Sequence, residues 1–252
     1  MLKTNKRCVI ISIPCPKGGL GKSLIHTQMS LAVAIFNKGL RVTLFDADPQ
    51  STSIEFFNDR IINKLPVLPN LNIVKKQSDS SFVQDIIDAS YNSDFIFIDT
   101  AGADTMDLTK VQFISDIAYH VCDVSKASTY KSKEFELAIL ADNENRKLLG
   151  NSESCIYKTF YNGVSPIPNV AKNQLNKCKK PVDDLIATGM LKQCEFNISR
   201  REPFTECMNT GASIFELDTS NKVMSYYNAK VEIQKLYLDI MNNRHKIIKN
   251  RG

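Results

Sequence analysis

One short segment constrains this chain more than any other feature. Lys17-Gly18-Gly19-Leu20-Gly21-Lys22-Ser23 follows a continuous apolar run, Cys8 to Pro14. It opens a stretch from Ser23 to Asn37 that reads as a helix, closed by Lys38-Gly39. An apolar run without alternation marks a strand buried on both faces. Glycines between such a strand and a helix let the backbone turn tightly and aim several N–H groups inward as an anion nest. The helix N-terminus adds partial positive charge. A phosphate-binding loop needs this context, whereas an isolated glycine cluster is commonly a plain turn. Lys22 would reach the β- and γ-phosphates of a nucleotide, and Ser23 would offer its hydroxyl to Mg²⁺.

The rest of the chain alternates. Arg41–Phe45 (RVTLF) and Phe95–Asp99 (FIFID) are further strong strands, and Leu71–Val74 is a weak one. Ile117–Val121, Ser154–Tyr161 and Leu191–Ile198 are also strand-like. Helices are expected over 51–60, Phe82–Ala89, 105–115, Lys131–Leu149, 168–188 and the tail from about Lys222 to Ile248. This order predicts an α/β fold, a mostly parallel twisted sheet with helices on both faces. One domain is expected over 1–252, ending in a helix and basic tail from about 222. Such sheets bind ligands at the carboxyl ends of their strands. Three of the strongest strands end in polar sequences, at 15–23, 46–50 and 99–102, so these ends should converge on one site.

Two of those ends carry carboxylates. Asp46-Ala47-Asp48-Pro49-Gln50 closes the second strand and could organise a metal and a water. Asp99 closes the run Phe95-Ile96-Phe97-Ile98, as a Walker B aspartate does. In the first motif, the standard phosphate-loop pattern would put a glycine at Pro16, and Lys17 instead precedes the glycine pair. K-G-G-x-G-K-[ST] is the deviant Walker A pattern. With D-x-D-P-Q and the later aspartate, the chain resembles the ParA/MinD family of P-loop ATPases (SIMIBI class), closest to short ParA-type partition ATPases.

The resemblance carries specific expectations. ATP and Mg²⁺ are the implied cofactors, bound through Gly18, Gly19, Leu20, Gly21, Lys22 and Ser23. Lys17 would cross a homodimer interface and contact the partner's phosphates, so that ATP is sandwiched between two subunits. Asp48 would position the attacking water, while Ser23, Asp46 and Asp99 would serve the metal. Thr100, Ala101 and Gly102 resemble the segment that senses the γ-phosphate. Asn162 resembles the residue that reads the adenine, although an Asn beside a glycine is also an ordinary turn.

Ile198-Ser199-Arg200-Arg201-Glu202-Pro203-Phe204 looks like the family's late segment, which carries arginines implicated in non-specific DNA binding. Arg200 falls at one matching position, and Pro203 occupies a second that is often arginine. From Lys222 onward seven basic residues face only Glu232 and Asp239, so this stretch carries the chain's whole net charge of +5. Such asymmetry suits a polyanion, DNA or anionic lipid, or is a solvated helix face. Arg200, Arg201, Arg244, Lys246 and Lys249 are therefore the candidate DNA contacts, with Asn242 to Gly252 expected to leave the body. Ile233, Leu236, Tyr237, Ile240, Met241 and Ile248 share one face of the last helix and are read as core packing rather than a membrane-binding stripe. His26 and His120 read as structural, without metal-ligand spacing.

The implied function is a partition ATPase, cytoplasmic and nucleoid-associated, working with a ParB-like centromere-binding protein. With only seven residues before the first strand, no N-terminal helix-turn-helix domain and no operator reading are expected. The alternatives are a MinD-like membrane-positioning ATPase, a conjugation-linked recruitment ATPase, or a metabolic relative such as dethiobiotin synthetase. Seven cysteines, an odd number without any CxxC, argue for reduced buried thiols over a disulfide framework. No apolar run approaches the roughly 20 residues of a membrane helix.

Overall fold

The structure is a computed structural model that describes residues 5, 7–15, 18–76, 81–101, 105–148, 154–218 and 224–251. In chain order its elements are β1 (Val9–Ser12), α1 (Lys22–Phe36), β2 (Val42–Ala47), α2 (Thr52–Ile62), β3 (Leu71–Lys75), α3 (Phe82–Ser90) and β4 (Phe95–Thr100). They continue through α4 (Thr105–Ile114), β5 (Ile117–Asp123), α5 (Lys126–Leu148), β6 (Ile156–Val164), α6 (Pro168–Cys178) and α7 (Lys180–Ala187). Two short strands, β7 (Lys192–Gln193) and β8 (Ile198–Ser199), precede α8 (Glu202–Thr210) and α9 (Met224–Arg251).

The strands form one parallel sheet in the order β3-β2-β4-β1-β5-β6-β7, with β8 also paired to β6. From β1 the chain steps over one place to β2 and out to the edge strand β3, returns to lay β4 between β2 and β1, and then continues on the other side of β1 through β5 and β6. Strand order therefore reverses at β1, the place where open α/β sheets bind ligands. Successive side chains leave a strand on opposite faces. Val9, Ile11, Leu44, Phe97 and Tyr119 pack with α1, α2, α8 and α9 on one face. Cys8, Ile10, Ile96 and Ile98 pack with α3 and α4 on the other, and Ala118 and Cys122 with α5, α6 and α7. Covering both faces explains why β1, β2 and β4 read as unbroken apolar runs. At the edge, β3 is only half-buried. All seven cysteines are buried free thiols.

Three departures from the sequence reading have local causes. The expected helix over 168–188 is two helices, because Pro181 in the first turn of α7 lacks an N–H and its ring crowds the preceding turn. The expected strand over 191–198 is two fragments. Asn197 Oδ1 accepts the Tyr161 N–H at 3.0 Å, so a side chain replaces a ladder bond between them. The tail does not leave the body. α9 runs to Arg251, which donates to the Cys8 carbonyl at 2.9 Å and pairs with Asp116. The stripe Ile233, Leu236 and Ile240 is buried in the core, with Tyr237 and Met241 packed against it. Among the described residues no helix is long and apolar enough to cross a membrane.

Candidate functional site

The carboxyl ends of the strands open into one cleft of about 1160 Å³, lined by Gly18 to Leu24, Asp48 to Gln50, Asp123 to Ser125, Asn162, Arg200 and Arg201. The loop after β1 reaches α1 through Gly21, whose φ of +72° is left-handed. Among the described residues no side chain caps α1, and its first turn holds no acid. A helix start of this kind after a glycine-rich loop is the arrangement that binds phosphate. Lys22 is buried and donates to the Cys15 carbonyl at 3.3 Å, which holds its ammonium beside the loop.

The two acidic motifs sit side by side because β2 and β4 are neighbours. Asp46 is the register partner of Asp99. Asp46 Oδ1 accepts the Asp48 N–H at 3.1 Å and Oδ2 accepts the Ile54 N–H at 2.8 Å. Burial pushes the Asp46 carboxyl up to about 6, against the Ile54 hydrogen bond, and the Asp99 charge pushes the same way. Asp99 is fully buried. Ser53 Oγ donates to its Oδ2 at 2.7 Å, and His26 Nδ1 lies 3.4 Å from Oδ1. Burial pushes the Asp99 carboxyl up, but His26, Ser23 and Ser53 outweigh it and hold it below the ordinary carboxylate value. Asp48 stands half-exposed on the cleft, its Oδ1 accepting the Gln50 N–H at 2.9 Å. Between these motifs Ser51 is left-handed at φ 55°, a strained conformation for a residue with a Cβ.

This donor set fits a divalent cation. Two carboxylates on adjacent strands repel each other, and buried Thr100 Oγ1 and Ser51 Oγ lack hydrogen-bond partners among the described residues. Hard oxygen ligands beside a phosphate loop suit Mg²⁺.

The structure places the remaining expected site residues as follows. Lys17 and Gly102 lie outside the described residues. Asn162 lines the cleft, but its Nδ2 donates to the Leu20 carbonyl at 2.7 Å, so it braces the phosphate loop. Arg200 is exposed at the cleft. Arg201 is tied to Glu232 at 3.0 Å. Arg244 lies 5.2 Å from the Phe95 ring centroid, and burial lowers its pKa. Phe95 starts β4, so Arg244 belongs to the opposite end of the sheet from the cleft. Lys246 and Lys249 follow it on α9, exposed. The expected basic surface is thus divided between two ends of the molecule, and Arg201 and Arg244 are already engaged within the fold.

Sequence reasoning set His26 aside as structural, and it passed over Ser53 and the cleft-facing residues of α8. His26 stands three residues after Ser23 on the same helix face, a spacing that was readable. Ser53 becomes a site residue only because the first turn of α2 lies beside the carboxyl end of β4. α8 brings Phe204, Thr205 and Met208 to the cleft. Its start was signalled by Pro203 in the first turn, and its end by Gly211.

Residues 11–245 match the family described as the CobQ/CobB/MinD/ParA nucleotide binding domain. No curated protein matches the sequence. Among solved structures, the MinD cell division protein of Aquifex aeolicus aligns with TM-score 0.62 at 19% identity, covering 93% of this chain and 97% of that one. A plasmid partition protein of Borrelia burgdorferi B31 bound to AMPPNP aligns with TM-score 0.59 at 18% identity, over 92% and 98% of the two chains. The septum site-determining protein MinD of Pyrococcus horikoshii OT3, complexed with Mg-ADP, gives 0.60 at 14% identity over 92% and 96%.

Proposed function

The chain belongs to the CobQ/CobB/MinD/ParA nucleotide-binding family, and from that premise we propose that it is a ParA-type ATPase whose nucleotide state switches a homodimer on and off DNA. The observation that carries this reading is the uncapped start of α1, with Lys22 folded beside it and three carboxylates on the neighbouring strand ends.

ATP is the proposed substrate, its phosphates taken by the amides of the Gly18–Ser23 loop and by Lys22. Ser23 and Asp99 would hold Mg²⁺, with Asp46 behind them, and the metal would supply positive charge to the phosphates. Asp48 accepts a hydrogen bond from the attacking water and aligns it on the γ-phosphorus. The γ-phosphorus–oxygen bond to ADP breaks as the water oxygen bonds. Lys17 is proposed to reach the partner's phosphates in the dimer. ATP then favours the dimer because each triphosphate touches both subunits. DNA is the proposed client of the dimer, with Arg200, Lys246 and Lys249 as exposed cations, and a ParB-like protein as the stimulating partner. The structures of a partition protein with AMPPNP and of a MinD with Mg-ADP support the choice of ligands. Burial of the α9 stripe in the core speaks against the membrane-positioning alternative.

The test is sedimentation of the protein with random-sequence duplex under ATP, ADP and no nucleotide, across a salt series. Binding that needs ATP and weakens steeply with salt is expected. Absence of DNA binding in every nucleotide state would overturn the DNA client.

A further inference from the structure

The most unusual buried polar group near the cleft is His26. It is fully buried, it follows apolar Ile25, and apolar Met29 lies one turn on. Neither ring nitrogen has a hydrogen-bond partner among the described residues, and neither has Asp99 Oδ1, which lies 3.4 Å from His26 Nδ1. An imidazole buried without full satisfaction is costly, so a merely space-filling role would be served better by an apolar side chain.

We propose that His26 is a positioning residue for Asp99. Three elements converge on that carboxylate. Ser53 approaches Oδ2 from the first turn of α2, Ser23 approaches from the start of α1, and His26 approaches Oδ1 one helical turn further on. A carboxylate at a strand end can rotate about its Cβ–Cγ bond. With Oδ2 held by Ser53 and Oδ1 facing His26 Nδ1 across 3.4 Å, its rotation is limited to the orientation that a divalent cation beside the phosphate loop requires. Outer partners of this kind set metal affinity without touching the metal or the nucleotide. His26 therefore ties the helix that receives the phosphates to the strand that presents the acid. This inference rests on the Mg²⁺–nucleotide reading of the cleft.

The test is Mg²⁺ titration of a fluorescent N-methylanthraniloyl-ADP complex, beside the same probe in EDTA. His26→Leu keeps the volume and removes the donor. It should raise the Mg²⁺ concentration for half-maximal response about tenfold or more, with probe affinity in EDTA unchanged. His26→Asn places an amide N–H where Nδ1 stands and should restore the response to within about twofold, whereas His26→Gln should not. If the Leu variant is too unstable to study, the Asn and Gln pair carries the comparison. A Leu or Gln variant with the wild-type Mg²⁺ response would overturn the positioning role, as would equal loss in EDTA. Asp99→Asn separates the two layers. If Asp99→Asn keeps the full Mg²⁺ response, the metal reading of the cleft fails first, and the role of His26 with it.

Discussion

The side-chain amide of Asn162, at the end of β6, donates to the backbone carbonyl of Leu20 in the phosphate loop across 2.7 Å. The same Nδ2 would lie 2.7 Å from a Cβ built on Gly21. The loop is thus held from a strand two positions away in the sheet, and a side chain at Gly21 would have to push that amide aside.

Gly21→Ala should accordingly lose nucleotide affinity and stability together. The added methyl meets Asn162, and the left-handed φ of +72° strains the alanine by roughly 1–2 kcal/mol. Asn162→Ala should be milder, weakening nucleotide binding roughly fivefold, as expected for one lost hydrogen bond. Fluorescent-nucleotide titration with thermal melts separates the two; an Asn162→Ala variant of wild-type affinity would show that the brace is idle.

Asp48→Ala should bind ATP near normally and hydrolyse it about 100-fold more slowly or worse. Lys22→Ala should not bind at all. Phosphate release at saturating ATP reads the first and equilibrium titration the second. Near-normal turnover without Asp48 would assign the water to another group.

His120 gives a pH signature independent of the cleft. It is buried in β5, stacked on Phe135 at 4.2 Å, with neither ring nitrogen bonded among the described residues. Burial lowers its pKa from 6.5 to about 4. The unfolded chain then takes up a proton at higher pH than the folded one. The neutral ring's contribution is fully present above about pH 6.5 and is lost as pH falls toward 4. The loss is on the order of 3 kcal/mol. His120→Leu should remove this component, so the variant's urea stability should gain on the wild type between pH 7 and 4.5. A constant difference across that range would mean that another group carries the acid sensitivity.

Gly211→Ala should be the most destabilising single methyl in the chain. A Cβ there would lie 2.2 Å from the Arg60 nitrogen and 2.5 Å from the Phe56 oxygen, both backbone atoms of α2. We expect a loss of about 3 kcal/mol or more in chemical denaturation. An unchanged midpoint would mean that α8 can draw away from α2 at little cost.

Arg200→Ala should reduce the salt slope of DNA binding by about one, and Lys246→Ala with Lys249→Ala by about two if both ends touch the duplex. A slope that responds to one end only would assign the DNA surface to that end.

The central fold was legible because its strands are buried twice over. RVTLF and FIFID show no alternation, and nothing but a two-sided interior requires that. Elements at the margin were less legible. The signals that divide α6 from α7 and open α8 were single prolines, Pro181 and Pro203, set in otherwise helix-compatible stretches. Pro203 was weighed as a missing arginine rather than as a helix start. At the site, the residues within each motif announced themselves by spacing. The contacts between motifs did not. His26 meets Asp99, and Asn162 meets Leu20, only because the sheet order places β4 and β6 near the first loop. No local pattern records a neighbour that distant in the chain.

α9 is 28 residues long, a rod of about 42 Å. Glu232, in its first half, receives the Ser199 amide and Arg201 beside the cleft, while Arg251 in its last turn grips Cys8 and Asp116 at the opposite rim. Exposed Lys246 and Lys249 ride on the same rod. One straight element therefore spans the molecule from the mouth of the cleft to the far rim, so a load borne by its exposed lysines reaches Glu232 through a single hydrogen-bonded backbone.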